Sequence, residues 1–427
     1  METQAARVSG SPMGYELRLD YLREFGDFEA NLHQMLVRLH SQQVIATCRR
    51  KKAGGHFQGS VDDQVALLQA AARAGCHWVD IEIESLARSG RAVLRQFRPA
   101  KVMVSYHNYR RTPPLAPIYR RMARLPAQAV KVAGFARQLA DNLRVFRLLK
   151  THRRERPKLV ALAQGASGIP SRLLALQWGC PFTYGAVSNH QGVASGQISV
   201  ETMRSAYRIE HVDRWTQLYG VVGTHASMSL SPAMQNAAFQ AKHVNAVYLP
   251  CETRRLSDFL KFARTLGFRG FSVTMPYKRA IIRDLEWLDP LATRIGACNT
   301  VAIQHGKWLG WNTDATAVIE VLTKRLRLAG SRILILGAGG AARAAAHALR
   351  AEDAEVFLSA RRESVAQRIA RAVSAQVVPW GDAEALDMDA LINATPVGMA
   401  PHSDAVPIDL ARLRVRVVFD MVYYPLE

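Results

Sequence analysis

A glycine-rich turn in the last third of the chain could hold a pyrophosphate group. Gly337, Gly339 and Gly340 follow the apolar run Arg332–Leu336 and precede a helical segment, Ala341–Arg350. Glycines let the backbone approach a pyrophosphate closely, and the N-terminus of a helix supplies amide donors to it. The motif alone is weak, but its place between a strand and a helix predicts a dinucleotide site.

The next predicted strand, Glu355–Ser359, indicates the kind of dinucleotide. Arg361 and Arg362 follow its end. An NAD site usually carries an acid here for the ribose 2′-hydroxyl, whereas an arginine suits the 2′-phosphate of NADP. The two arginines therefore favour NADP as the cofactor, with surface arginines of an arginine-rich chain as the alternative.

Strand and helix patterns before residue 205 predict a barrel. Apolar runs alternate there with helical periodicity, as in Val61–Ala74 and Ala136–Lys150. The predicted strands are Tyr15–Asp20, Val44–Arg49, Trp78–Glu82, Val102–Tyr106, Ala129–Ala133, Leu159–Ala163 and Phe182–Ala186. Repeated βα units predict an α/β fold with a (β/α)8-type barrel, whose missing first strand would precede Tyr15.

A second α/β pattern follows a linker or connecting helix at Thr202–Gln217. Four strands are predicted before the glycine turn, at Tyr219–Gly223, Asn245–Pro250, Gly270–Thr274 and Asn299–His305. Further strands at Val377–Val378, Ala390–Asn393 and Val415–Phe419 complete a doubly wound nucleotide-binding pattern around the glycine turn.

Composition excludes several classes of protein. Of the 427 residues, 49% are hydrophobic and 21% charged, which is typical of a folded globular chain and not of a disordered one. No apolar run is long enough to span a membrane, and the N-terminus lacks the apolar core of a secretory signal. The five cysteines form no CxxC pair, and no metal-binding constellation occurs, so we expect reduced thiols in a cytoplasmic protein.

The net charge of +21 is the one unusual number. It could attract anionic ligands, either nucleic acid or small acids. Basic residues are spread along the chain and are not interleaved with aromatic residues in a nucleic-acid motif. We therefore favour a compositional origin for most of the charge and expect no specific nucleic-acid partner.

The second half of the chain resembles shikimate dehydrogenase. The matching motifs are Ser229–Pro232, Phe271–Lys278, Gly296–Thr300, Gly310–Asp314, Gly337–Ala342 and Asn393–Met399. The resemblance implies hydride transfer between NADPH and 3-dehydroshikimate. It places Lys278 and Asp314 at the reacting oxygen, Ser229 and Ser231 on the substrate carboxylate, Thr274 and Asn299 on ring hydroxyls, and Gly337, Gly339, Gly340, Ala341, Arg361, Thr395 and Met399 at the cofactor.

The implied chemistry is physically reasonable for these residue types. Reduction of a ketone needs a proton donor beside the carbonyl oxygen, and a Lys–Asp pair can hold and deliver that proton. Serine hydroxyls offer a neutral but directional site for a carboxylate. Taken singly, Lys278 could be a solvated surface lysine, and Asp314 could cap the following helix.

The first 200 residues resemble type I 3-dehydroquinate dehydratase. The matching pieces are Glu16–Asp20, Thr47–Arg49, Asp80–Glu82, Ser105–His107, Lys131–Ala133, Ser171–Arg172 and Gly196–Gln197. They lie at or after the ends of predicted strands, where a barrel places its active site. The resemblance implies a Schiff base on Lys131 and proton transfer by His107, with Arg172 and Gln197 on the substrate and Glu16, Arg18, Arg49, Asp80 and Glu82 in support.

An imine at Lys131 would acidify the carbon next to the substrate ketone. The lysine must be neutral to attack, and burial in a barrel mouth favours that form. A histidine that titrates near neutral pH suits the transfer of the proton. Taken singly, a lysine at the barrel rim and a hydrogen-bonded structural histidine would explain the two residues.

The two resemblances support each other, because the product of the dehydratase is the substrate of the dehydrogenase. They predict a bifunctional enzyme with a dehydratase barrel at 1–205, a substrate-binding domain at 206–316 and an NADP-binding domain at 317–427. Both ends look truncated against these families, the last domain losing a closing helix. Ala53 replaces a usual acid, and Val193–Gln197 departs from the usual lid motif.

Other functions remain open at this point. One of the two activities could be lost, or the chain could be a non-catalytic protein that binds a metabolite or NADPH. A preference for quinate over shikimate is equally compatible with the motifs. The expected ligands are small anions, with no membrane partner, and nothing in the sequence decides the oligomeric state.

Overall fold

The computed structural model describes residues 14–22, 27–39, 42–188, 196–399, 403–409 and 412–422. Its strands are β1 (Gly14–Arg18), β2 (Gln43–Thr47), β3 (Trp78–Glu82), β4 (Lys101–His107), β5 (Ala129–Phe135), β6 (Lys158–Gln164), β7 (Gln217–Gly223), β8 (Ala246–Glu252), β9 (Gly270–Val273), β10 (Trp287–Leu288), β11 (Thr300–Gln304), β12 (Lys307–Trp311), β13 (Arg332–Leu336), β14 (Glu355–Ser359), β15 (Gln376–Val377), β16 (Asp387–Asn393) and β17 (Arg414–Asp420).

The α-helices of the described residues alternate with most of these strands. They are α1 (Phe28–Arg38), α2 (Val61–Arg73), α3 (Ile83–Ser89), α4 (Leu115–Ala123), α5 (Asn142–His152), α6 (Ile169–Leu173), α7 (Val200–Ser205), α8 (Ser231–Ala241), α9 (Leu256–Leu266), α10 (Pro290–Ile295), α11 (Asp314–Leu322), α12 (Gly340–Ala351) and α13 (Glu363–Val373).

The chain forms two compact units. The first comprises residues 1–218 and 230–266, and the second comprises residues 219–229 and 267–427. The three domains drawn from sequence patterns have other boundaries, and that division stays a prediction.

A parallel sheet with the order β1-β2-β3-β4-β5-β6 forms the centre of the first unit. Helices connect its strands and cover its outer face with apolar side chains, as parallel sheets require. Helix α2 shows how the local sequence sets a boundary, because Ser60 and Asp63 form a reciprocal capping box at its N-terminus. The barrel strands predicted between residues 15 and 163 are confirmed, each within a few residues of the expected limits.

The seventh predicted strand, Phe182–Ala186, is wrong. Among the described residues, 182–185 form no strand ladder; the Phe182 carbonyl accepts from the Cys180 thiol, and the Tyr184 carbonyl accepts from Arg172. Only Ala186 makes a strand-like bridge, to Ser199. The strand expected before Tyr15 falls largely outside the described residues.

The second unit contains two sheets. In one of them β11 pairs antiparallel with both β9 and β12, while β7 runs parallel to β9. The sequence reasoning missed β10 and β12, which are short or rich in Trp and Gly. The other sheet is parallel, with the order β15-β14-β13-β16-β17. This order reverses beside β13, as the predicted doubly wound fold requires.

All five cysteines are free and buried. Burial raises the pKa of Cys76 to about 12 and those of Cys180 and Cys298 to about 11. It also raises the pKa values of Cys48 and Cys251. The thiols therefore stay protonated at neutral pH. Separately, a search of the described helices finds none long and apolar enough to cross a membrane.

Two candidate active sites

A cavity opens at the carboxyl ends of the barrel strands. Its lining residues are Glu16, Arg18, Arg49, Gly54, His107, Tyr109, Lys131, Ala133, Leu162, Gln164, Arg172, Tyr184 and Gln197. The structure therefore gathers into one cavity the catalytic and substrate-binding residues that the sequence placed in the barrel. The lid residues 193–195, which depart from the usual motif, lie outside the described residues.

Lys131 is a buried residue of β5 and not a lysine at the barrel rim. Its Nζ lies 3.2 Å from Glu16 Oε1 and 3.4 Å from Asp80 Oδ2. The ring of Tyr184 lies beneath the ammonium group, 3.9 Å from Nζ to the ring centroid. Burial was expected, but two carboxylates were not expected to contact the amine. Lys131 therefore lies between two carboxylates and against an aromatic ring.

A network of buried charges holds these carboxylates in place. The Arg49 guanidinium donates to Asp80 at 3.1 Å and to the Ser105 hydroxyl at 2.8 Å, and it lies 3.7 Å from Glu82. Burial works to raise the pKa of Asp80, but Arg49 and Lys131 outweigh it and hold that pKa below its usual value. Asp80 is therefore an anion beneath the amine.

Three further hydrogen bonds fix the side chains of Glu16 and Arg18 on β1. Arg18 makes a two-pronged pair with Asp20, at 2.8 and 2.7 Å. The Thr47 hydroxyl on β2 donates to Glu16 Oε1 at 2.9 Å. These bonds hold the side chains of Glu16 and Arg18 where they line the cavity.

His107, the last residue of β4, is placed to accept a proton. Its ring stacks on Tyr109 with 5.9 Å between centroids and 15° between planes. Its Nδ1 is buried and has no hydrogen-bond partner among the described residues. Burial and the charges of Arg49, Lys131 and Arg18 hold the pKa of His107 well below its usual value. The ring is therefore neutral at pH 7, and the alternative of a hydrogen-bonded structural histidine does not fit Nδ1.

Arg172 on α6 is a buried cation that faces the cavity without a carboxylate of its own. It is 2% exposed, and its Nη1 donates to the Tyr184 carbonyl at 3.3 Å. Its Nε is buried without a partner among the described residues. Burial lowers the pKa of Arg172 to about 10, so it remains charged at neutral pH. An unpaired buried guanidinium is a strong recognition element for a carboxylate.

Gln197 reaches the cavity because two glycines pack against each other. A Cβ on Gly196 would lie 2.2 Å from the Gly165 carbonyl oxygen, and Gly196 has a positive φ of 70°. No other residue type fits this contact without moving the backbone. The returning chain is thereby fixed just before Gln197.

Gly54 offers a test of the contact between Tyr109 and His107. A Cβ at Gly54 would lie 2.3 Å from the Tyr109 ring, and φ is +78°. We expect Gly54→Ala to displace Tyr109 and lower kcat of the barrel reaction about tenfold, as misplaced catalytic groups do. Gly90→Ala is the control, because Gly90 has a φ of +77° and open space around it. Equal activity in both variants, at equal urea midpoints, would contradict the expectation.

Sequence reasoning missed Tyr109 and Tyr184 as site residues. Tyr109 follows His107 by two positions in the loop after β4, and its proximity to that residue was an available signal. Tyr184 was assigned to a strand, so its contact with the Lys131 ammonium could not be foreseen.

The second candidate site centres on an ion pair. Lys278 Nζ lies 2.6 Å from Asp314 Oδ2, with the two side chains 18% and 23% exposed. Asn299 Nδ2 donates to the other oxygen, Oδ1, at 2.7 Å. Asp314 therefore binds two side chains and does not cap α11, and Lys278 is not a freely solvated lysine.

Neighbouring strands bring these residues together. Lys278 lies in the loop after β9, Asn299 directly precedes β11, and Asp314 begins α11 after β12. The Lys278 carbonyl accepts the Cys298 N–H at 2.7 Å, which ties the first two loops. Thr274 follows the end of β9, and its N–H bonds to the Val222 carbonyl at 2.9 Å.

The predicted serines lie near the start of α8. Ser229 follows the short turn Ala226–Met228, and Ser231 is the first residue of α8. Both side chains are half-buried. Their contribution to a carboxylate site stays a prediction.

The glycine turn at the end of β13 fits a pyrophosphate. Gly337 has a φ of +112°, and a Cβ there would lie 2.9 Å from the Ala394 carbonyl oxygen. A Cβ on Gly339 would meet nothing within 4 Å, so the turn is open at that point. Helix α12 starts there without a side-chain cap, which leaves its first amides available. Gly340 packs against Lys278, with 3.1 Å from its ideal Cβ position to the lysine Cβ.

The remaining predicted cofactor residues lie at the ends of neighbouring strands. Thr395 follows β16, and its hydroxyl donates to Asn393 at 2.7 Å. Ala341 is half-buried in the first turn of α12, and Met399 is half-buried in the loop beyond Thr395. Arg361 is exposed after the end of β14. These positions are compatible with a bound dinucleotide at the point where the strand order reverses.

Comparisons with known proteins follow the same division of the chain. The family model for type I 3-dehydroquinase matches residues 2–214, and that for the shikimate dehydrogenase substrate binding domain matches residues 221–301. A bifunctional 3-dehydroquinate dehydratase/shikimate dehydrogenase of Arabidopsis thaliana is 30% identical over 450 residues, which cover 100% of this chain and 74% of the plant protein.

Two bacterial relatives agree with this assignment. The shikimate biosynthesis protein AroDE of Chlamydia pneumoniae is 30% identical over 386 residues, covering 89% of this chain and 78% of the relative. A shikimate dehydrogenase (NADP(+)) of Anaeromyxobacter dehalogenans is 42% identical over 220 residues, covering 49% of this chain and 78% of the relative. From the extent of these matches and the two sites described above, the chain belongs to the family of bifunctional 3-dehydroquinate dehydratase/shikimate dehydrogenases.

Proposed function

We propose that this chain dehydrates 3-dehydroquinate to 3-dehydroshikimate in its barrel and then reduces that product to shikimate with NADPH. The observation that carries the proposal is the barrel cavity, where a buried amine, a neutral imidazole and an unpaired guanidinium face one space. Each of the three matches one part of an anionic hydroxyketone. The second site adds a Lys–Asp pair beside a glycine turn.

In the barrel, Arg172 binds the substrate carboxylate and so orients the ketone towards Lys131. Glu16, whose Oε1 lies 3.2 Å from Nζ, takes a proton from Lys131, and the neutral amine attacks the ketone. The proton then returns to the hydroxyl of the adduct, which leaves as water as the protonated imine forms. His107 takes a proton from the adjacent carbon and then protonates the departing hydroxyl, which leaves as a second water. Hydrolysis of the imine consumes one water, so the net change is the loss of one water from the substrate. Asp80 stabilises the positive charge of the imine.

In the second unit, the glycine turn and Arg361 hold the dinucleotide, which supplies a hydride when bound. Lys278 and Asp314 hold a proton at the ketone oxygen, and Asn299 fixes the carboxylate of Asp314. Ser229 binds the substrate carboxylate, and Thr274 and Asn299 bind its ring hydroxyls. These assignments follow the family resemblance and are supported by the 2.6 Å Lys–Asp contact.

The pH dependence of dehydration follows from two shifted groups. Because the pKa of His107 is held well below 6.5, its neutral, proton-accepting form persists as the pH falls through 6.5. We therefore expect kcat to stay level at pH 6.5 and to fall only at lower pH. Arg172 loses its charge as the pH rises through about 10, so KM for the anionic substrate should rise there. Initial rates measured between pH 5 and about 10.5 would check both the fall of kcat at low pH and the rise of KM at high pH. A midpoint at or above pH 6.5 for the fall of kcat would contradict the expectation for His107.

Product analysis tests the proposed function directly. The purified chain is incubated with 3-dehydroquinate, with and without NADPH, and the products are identified by mass. Shikimate with NADPH and 3-dehydroshikimate without it would support both activities. Accumulation of 3-dehydroshikimate in both samples would leave only the dehydratase. Unchanged 3-dehydroquinate would refute the dehydratase, and 3-dehydroshikimate added directly would test the reductase alone.

We also propose a cytoplasmic location, as the cysteines predict. The five thiols are free, and none is paired in a disulfide. Small anions remain the proposed ligands, because Arg172 faces the barrel cavity and Arg361 follows the end of β14 near the glycine turn. Cell fractionation followed by an immunoblot tests the location.

A further inference from the structure

A buried carboxylate outside the barrel cavity holds the turn that follows β5. Asp258 lies in α9 and is 6% exposed. Its Oδ2 accepts the backbone N–H of Leu139 at 2.7 Å, and its Oδ1 accepts that of Ala140 at 2.9 Å. The Thr253 hydroxyl also donates to Oδ2, at 3.0 Å. Hydrogen bonds to an ionised carboxylate are roughly twice as strong as neutral ones, so this is a firm attachment.

A second bond attaches the neighbouring turn to the same segment of chain. The Ser167 hydroxyl donates to the Glu252 carbonyl at 2.9 Å. The two turns are also bonded to each other, because the buried amide of Asn142 donates to the Leu139 carbonyl at 2.8 Å and to the Ser167 carbonyl at 2.7 Å. The segment 252–258 therefore holds both turns at once.

Both turns adjoin elements that carry residues of the cavity. The turn Leu139–Asp141 follows β5, which carries Lys131, and the turn Ala166–Gly168 directly precedes α6, which carries Arg172. The segment 252–258 lies outside residues 2–214 and inside residues 221–301, the two ranges matched by the family models. Residues of the dehydrogenase part thus hold loops of the dehydratase part.

We propose that Asp258 is a positioning residue for the dehydratase reaction. This inference rests on the proposed function of the barrel. Asp258 does not line the cavity, and it acts by holding the turns that set the positions of Lys131 and Arg172. A displacement of about 1 Å in a reacting group can lower a rate about 100-fold. Dehydration therefore depends on a residue that a separated dehydratase domain would lack.

Asp258→Asn tests the proposal with little change in volume. The variant loses the negative charge and turns an NH2 group towards one of the amide donors. We expect kcat/KM for dehydration to fall at least about tenfold, measured well below the unfolding temperature. Hydrogen exchange of peptides covering 136–142 and 166–174 should become faster. A role confined to stability would lower the unfolding temperature without changing either quantity at the assay temperature.

Asp289→Asn is the matched control. The Asp289 carboxylate also accepts two backbone amides, those of Leu291 and Ala292 at 2.9 and 3.1 Å, but it lies in the second unit. Dehydration should proceed at the wild-type rate in this variant. If it also loses about tenfold in kcat/KM, the effect is general and the proposal is wrong.

Unchanged exchange together with kcat/KM within twofold of wild type in Asp258→Asn would overturn the proposal. Should that variant not fold, Ser167→Ala removes one bond of the same attachment, and a several-fold rise in KM with faster exchange of 166–174 is then expected. Unchanged exchange in Ser167→Ala would likewise refute the proposal. Absence of dehydration in the wild type would refute the proposed function alone, because the exchange measurement still decides whether Asp258 holds the cavity loops.

Discussion

Replacing Lys131 with methionine is expected to lower kcat for dehydration by at least about a thousandfold, since covalent catalysis through the amine is lost. Reduction with borohydride in the presence of 3-dehydroquinate should attach the substrate to the wild-type chain through a stable secondary amine. The variant should gain no such mass. The measurements are initial rates and intact-protein mass spectrometry.

Lys131→Arg separates the chemistry of the amine from its charge. A guanidinium keeps a cation between Glu16 and Asp80, which lie 3.2 and 3.4 Å from the native amine, but it forms no imine with a ketone. This variant should fold with near-native stability and remain inactive in dehydration. Activity above about one hundredth of wild type, or a trapped adduct, would exclude Lys131 as the nucleophile. Reduction of added 3-dehydroshikimate serves as the control for intact protein.

Replacing Lys278 with methionine should lower kcat for the reduction of 3-dehydroshikimate by about 100- to 10,000-fold, the range that general acid–base groups contribute. The lysine holds the proton at the ketone oxygen, and Asp314 contacts it at 2.6 Å. Asp314→Asn should therefore cause a loss of similar order. Stopped-flow measurement of NADPH oxidation gives the hydride step directly.

Dehydration in the barrel is the internal control for both of these variants and should stay within twofold of wild type. Binding of NADPH, followed by its fluorescence, should also be retained, because the glycine turn is unchanged. A variant that binds NADPH and still reduces the ketone within tenfold of the wild-type rate would exclude the ion pair as the proton source.

The sequence predicted strand limits and site residues correctly where a continuous apolar run ends next to the residues of a motif. Strands β13 and β14 have the predicted limits, since each is a continuous apolar run bounded by turn residues. The motif residues of the barrel also share one cavity, because parallel strands all end at the same edge. Residue types and spacing therefore predict the fold class and which residues share the barrel cavity.

The sequence pattern did not predict features that depend on individual side-chain contacts with the backbone. Phe182–Ala186 alternates like a strand, but Arg172 and Cys180 bond to its backbone and replace the expected ladder. Helix α5 was expected to start at Ala136, whereas Asp141 accepts amides of the preceding turn and the helix begins at Asn142. Pairwise bonds of this kind carry no periodic signal in the sequence.

The sequence also did not predict which carboxylates contact Lys131. Its burial follows from its place in an apolar strand, but Asp80 and Glu16 come from strands 51 and 115 residues away in the chain. Only the folded sheet shows that two carboxylates contact the amine. The bond from Asp258 to the turn after β5 is similarly remote, at 119 residues.

The five buried cysteines can report local unfolding of the structure around them. The thiolate is the form that attacks an electrophilic thiol reagent, so each of these protonated, enclosed groups reacts only after the surrounding structure has opened. Cys298 lies in the second unit, while Cys48, Cys76, Cys180 and Cys251 lie in the first. Under native conditions, the rate at which each position is modified therefore measures the local opening free energy around that residue. The two halves of this fused enzyme can thus be compared for stability without being cut apart.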